Sequence, residues 1–91
     1  MSVYMLTYDL NNPGQKYDKV IEAIKESSIT YCSYWKSSYL ITSNLSVDQI
    51  SNNITQHLDK NDSLIVIEVK DNYQGWLTDT QWQFIKENIF N

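Results

Sequence analysis

VYMLTYDLNNPGQKYDKVIEAI, residues 3–24, decides the fold and raises the functional question. Side chains alternate along an extended chain, so Val3, Met5, Thr7 and Asp9 share one side and Tyr4, Leu6, Tyr8 and Leu10 the other. Both sides are mostly apolar, which predicts a central strand over residues 3–10. Asn11-Asn12-Pro13-Gly14 is turn chemistry that halts it. Tyr17, Val20, Ile21 and Ile24 then recur at helical spacing and predict an amphipathic helix of about three turns. One acidic residue, Asp9, thus stands where strand gives way to loop. It is either a turn residue or a metal ligand.

The pattern continues outward from this unit. Ser27-Ser28 closes the first helix, and Ile29–Trp35 and Tyr39–Ser43 read as two strands joined by a hairpin. Ser46 with Gln49 is a capping box, opening a second helix with the stripe Val47, Ile50, Ile54 and Leu58. Leu64–Val69 is the most strongly β-forming run. Thr78 with Gln81 repeats the capping pattern before Trp82, Ile85 and Ile89, so a third helix is expected to pack onto the domain. The order strand, helix, strand, strand, helix, strand predicts an α+β fold of the ferredoxin-like split βαβ type, with an added C-terminal helix. Short right-handed connections leave few alternatives. Residues 1–91 form a single domain in this reading.

Two helices on one sheet face leave the other bare, while every strand carries bulky residues on both sides. An exposed apolar face of that size marks an interface, so a homodimer is expected.

Composition narrows the function. Seven Tyr and three Trp argue against disorder. No apolar run approaches the ~20 residues that span a bilayer, and the N-terminus does not read as a signal peptide, so no membrane association is expected. A single cysteine, Cys32, excludes an internal disulfide and points to the cytoplasm. Eleven acids face seven bases, all of them lysine. Without arginine the chain lacks the planar fork that grips phosphates and guanine edges, which disfavours nucleic acid as a partner.

Few residues carry chemistry. Asp62 begins the last strand, which in this fold lies beside the end of the first, so Asp9 and Asp62 are candidate ligands for Mg²⁺, a hard cation served by few carboxylates. The plainer reading makes both turn residues. His57, the only histidine, and Cys32 have no catalytic partners in sequence and read as structural. Residues 11–15 lead into a helix N-terminus, where free amides hold anions, but they are not a P-loop. In Tyr73-Gln74-Gly75-Trp76-Leu77, Gly75 is expected to permit a tight turn and Trp76 to dock in the core. The alternative is that Tyr31, Tyr34, Trp35 and Trp76 form a stacking wall for a base. Tyr8 and Asn11, flanking Asp9, complete the candidate ligand contacts.

The segments YMLTYDLNNPGQKYDKVIEAIK, SYWKSSYLITSNLS, LDKNDSLIVIEV and GWL resemble small bacterial and phage proteins labelled SinR family, themselves similar to the Cas-two family of CRISPR-associated proteins. The resemblance covers nearly the whole chain and implies a ferredoxin-like fold and a homodimer. It also implies that Asp9, in Tyr8-Asp9-Leu10, matches an Asp that can support a Mg²⁺-dependent nuclease site. With the charge and the incomplete catalytic set, the expected function is a non-catalytic dimeric module. It would bind a nucleotide-like small molecule or a protein partner in phage defence or anti-defence. The alternatives are a Mg²⁺-dependent endonuclease with Asp9 as ligand and a structural scaffold in a defence complex.

Overall fold

The computed structural model describes residues 1–11 and 16–90, apart from the side chain of residue 34. The turn read at Asn12-Pro13-Gly14, and the anion-holding reading of residues 12–15, lie outside the described residues. Four strands, β1 (Ser2–Asp9), β2 (Thr30–Trp35), β3 (Ser38–Ser43) and β4 (Ser63–Val69), make one antiparallel sheet in the order β2-β3-β1-β4. Helix α1 (Lys16–Ser27) joins β1 to β2, and α2 (Val47–Thr55) joins β3 to β4. Helix α3 (Asp79–Phe84) continues directly into a π-helical turn, Ile85–Ile89. The chain is α+β, and β1 is central as its two apolar sides predict.

The β1 residues Tyr4, Leu6 and Tyr8 meet Tyr39 and Ile41 of β3, and α1 and α2 cover this face with Val20, Ile24, Ile50 and Ile54. Each fully buried Ile, Leu or Val contributes roughly 1.5–3 kcal/mol over an exposed one. The Tyr4 hydroxyl escapes the desolvation cost of burial by donating to the Leu45 carbonyl at 2.7 Å. The Ser46 capping box is complete: Gln49 N donates to Ser46 Oγ at 3.1 Å and Ser46 N donates to Gln49 Oε1 at 2.9 Å. Within the predicted α2 stripe, Ile50 and Ile54 are buried, but Val47 is exposed. It sits in the first helical turn, beside the cap rather than over the sheet.

The second sheet face corrects an expectation, because it is not left bare. Register places Val3, Met5 and Thr7 beside Thr42, Leu40 and Ser38 on one flank and Val69, Ile67 and Ile65 on the other. The C-terminal π turn crosses the β2–β3 half of this face and buries Ile85 and Ile89. Thr30 of β2 donates its hydroxyl to the Asn88 carbonyl at 3.0 Å and shares a 2.6 Å hydrogen bond with the buried Thr42 hydroxyl. Over the β4 half the face stays open, leaving Ile65 and Ile67 about half exposed.

The hairpin between β2 and β3 turns at Lys36-Ser37, where Ser37 adopts a left-handed φ of 68°. That conformation costs a residue with a Cβ roughly 1–2 kcal/mol. Two contacts hold it: the Ser37 carbonyl accepts from Tyr8 N at 3.1 Å, and its hydroxyl lies 3.0 Å from the Tyr17 hydroxyl. Just before the turn, the β2–β3 register shifts between Cys32 and Trp35. The shift sets Trp35 opposite Ser38, on the second face with Cys32 and Leu40. A bulge re-aims a side chain in this way, and here it delivers a tryptophan to the candidate site.

Candidate functional site

Where the C-terminal segment leaves β4 and returns over the sheet, it encloses a cavity of about 530 Å³. Its floor is Met5 and Leu40, which face each other across β1 and β3, with Val69 beside them. Its wall is a row of rings. Tyr73 stacks on Phe90 with centroids 4.6 Å apart and planes 19° from parallel. It also stacks on Trp82 at 5.8 Å and 20°. Offset parallel rings of this kind contribute about 0.5–1.5 kcal/mol per pair beyond their burial. Trp35 and Trp76 also line it, so all three tryptophans of the chain meet at one cavity.

Trp76 corrects a second expectation. It does not dock in the core but stands 98% exposed. Neither does Gly75 need its freedom: a Cβ there would meet the Trp82 ring edge at 3.7 Å, an ordinary contact. Trp35 is 55% exposed, so two large aromatic side chains face solvent at the mouth of an apolar chamber. Scattered single exposed residues need no explanation, but a contiguous apolar patch marks a binding surface.

Behind the same backbone segment lies a more open cavity of about 750 Å³, sharing Asn72, Tyr73, Gln74, Gly75 and Trp82 with the first. Its remaining lining is polar and largely acidic: Asp71, Asp79, Gln83 and Glu87, with Lys86. Gln83 donates to Glu87 Oε1 at 3.1 Å across one helical turn. The N-terminus of α3 beside it is closed by its own cap, with Gln81 N on Thr78 Oγ1 at 3.2 Å and Thr78 N on Gln81 Oε1 at 2.9 Å.

The carboxylates read as possible ligands have different fates. Asp9 ends β1 opposite Ser63, exposed on the second face beside a shallow cleft with Thr7 and Ile65. Asp62 is fully engaged. Its Oδ1 accepts from Asn11 N at 2.8 Å, and its Oδ2 accepts from Asp59 N at 2.8 Å and from Lys16 Nζ at 2.7 Å. Lys16 also pairs with Asp59. The backbone amide of Asp59, then Lys16 and the Asn11 amide, hold the Asp62 carboxyl down at about 2. The hydrogen bonds that Lys16 donates to Asp59 and then to Asp62 raise its own pKa in turn. Asp62 is therefore a staple joining the end of β1, the start of α1 and the loop before β4. Its two carboxylate oxygens serve three donors in this arrangement. Among the described residues, no three His, Cys, Asp or Glu side chains gather in one group.

The remaining predicted contacts do not converge. Tyr8 belongs to the helix-side core at 5% exposure, with its ring edge-on to Tyr17 at 5.8 Å. Burial pushes its phenol up, and among the described residues its hydroxyl has no hydrogen-bond partner. Asn11 lies in the Asp62 staple. Tyr31 pairs with Ile41 and so lies on the helix side, where Lys25 Nζ sits 5.4 Å from its ring centroid. The single stacking wall is thus corrected: the register shift between Cys32 and Trp35 puts Trp35 on the second face with Trp76, while Tyr31 stays on the helix side. The Tyr34 side chain lies outside the described residues. Cys32 is half buried on the second face, and burial pushes its thiol up, which suits a small apolar packing residue.

Tyr73, Trp82 and Phe90 were not among the predicted contacts. The signal was present in Tyr73-Gln74-Gly75-Trp76, but Trp82 read as a core residue of the third helix. No helix among the described residues is long and apolar enough to cross a membrane. Compared with protein-family models and with curated proteins, the chain finds no match.

Proposed function

We propose that this chain is a non-catalytic, homodimeric binding module whose cavity on the second sheet face takes the planar ring of a nucleotide-like small molecule. The observation that carries the reading is the meeting of all three tryptophans with Tyr73 and Phe90 around one apolar chamber. Base-on-aromatic stacking is worth about 1–3 kcal/mol per base and needs no particular base edge. A chamber of about 530 Å³ falls within the roughly 300–1,000 Å³ of small-molecule sites. Asn72 and Gln74 on the shared wall offer donors and acceptors to fix an orientation.

The strand order β2-β3-β1-β4 with helices between β1 and β2 and between β3 and β4 supports the ferredoxin-like reading of the fold. The resemblance to SinR-family and Cas-two proteins belongs to the same proposal, as does a role in phage defence or anti-defence. The open β4 edge with Ile65 and Ile67 supports the dimer. Equilibrium dialysis against purine and pyrimidine nucleosides tests the binding reading. Saturable uptake of at least one nucleoside is expected; uptake that never saturates counts against it.

A further inference from the structure

The apolar chamber and the acidic cavity share residues 72–75 and Trp82 in their linings and so adjoin as a two-part enclosure. A ring seated on the aromatic wall would therefore lie next to the acidic half. Three carboxylates, Asp71, Asp79 and Glu87, stand on these walls against Lys70 and Lys86. The whole chain carries a net charge of −4 and no arginine. The neighbouring helix start has no amide to spare at Thr78 or Gln81, because its capping box uses both. A phosphate would meet a net negative wall with no guanidinium to receive it.

The aromatic rings push in the same direction. The faces of Trp and Tyr rings are negative, and a cation over them is attracted by about 0.5–1 kcal/mol where exposed and more where desolvated. Rings and carboxylates together favour positive charge on a flat ligand. Resting on the binding reading above, we infer that the enclosure selects a positively charged planar heterocycle, an N-alkylated nucleoside in chemical class, over neutral nucleosides and phosphorylated nucleotides.

Guanosine, 7-methylguanosine and 7-methylguanosine 5′-monophosphate separate the possibilities, because the methyl group makes the ring cationic and the phosphate adds negative charge. The full chain is titrated calorimetrically with each in mildly acidic buffer. The methylated nucleoside should bind roughly two- to fivefold tighter than guanosine, the scale of a cation over partly exposed rings. The monophosphate should lose that advantage. A chain carrying Asp71→Asn and Glu87→Gln should melt at the same temperature, because both residues are exposed, yet discriminate less between the first two. Equal or tighter binding of guanosine overturns the charge inference and leaves the binding reading standing, as does preference for the monophosphate. Absence of binding by all three overturns both.

Discussion

Trp76 shows how the same residue type can be held for opposite reasons. A buried tryptophan loses roughly 3–5 kcal/mol on truncation to alanine, because a cavity is left behind. An almost fully exposed one leaves no cavity, so Trp76→Ala should shift stability by no more than about 0.5 kcal/mol. Thermal melting checks this, and a large drop in Tm would return Trp76 to the core. Asp9 poses the complementary question. It stands exposed at the end of β1, and Asp62 is bound up with Lys16, Asp59 and Asn11. The purified protein with Mg²⁺ should therefore leave RNA and DNA intact, because a lone carboxylate gives little stabilisation to charge developing on a phosphate. Cleavage that disappears in Asp9→Asn while the fold persists would make Asp9 a metal ligand.

At the scale of elements, the Asp62 staple predicts how the fold responds to acid. Asp62 is held at about 2 when folded, below the roughly 3.9 of a free aspartate. The folded state therefore binds this proton less readily than the unfolded chain does. Its stabilisation is fully present above the unfolded value and is lost as pH falls through about 2. Lys16 has the opposite sign: its raised pKa stabilises the fold below the ordinary lysine range and ceases to do so at higher pH. Acid unfolding should accordingly steepen between about pH 4 and pH 2, and Asp62→Asn should flatten it, as followed by circular dichroism. The elements themselves were legible in the sequence. Alternation in β1, the spacing of Ile50 and Ile54, and both capping boxes are local signals, and each appears where it was read. The candidate site was much less legible. Trp35 reaches it through a register shift, Trp76 through an irregular segment, and Tyr73 through stacking on residues up to 17 positions away. No single period in the sequence encodes those three events. Tyr31 failed as a wall residue for the converse reason, since it keeps the strand parity that the shift breaks before Trp35.

For the whole molecule, the C-terminal helix divides the second sheet face into a covered half and an open half. The covered half becomes the cavity; the open half exposes Ile65 and Ile67 beside an unpaired strand edge. Such an edge invites another chain unless it is covered or charged. Sedimentation at micromolar concentration should find a homodimer, dispersed to monomer by Ile65→Lys with Ile67→Lys. A 10.7 kDa species alone in the wild type would contradict it. The central claim, that the aromatic chamber holds a planar ligand, has a direct reporter, because every tryptophan of the chain lines it. Tryptophan fluorescence of the wild type titrated with nucleosides should be quenched to a saturating limit, and Trp76→Ala should weaken that quenching while melting at an unchanged temperature. Quenching that rises linearly without limit, identical in both proteins, would contradict the claim.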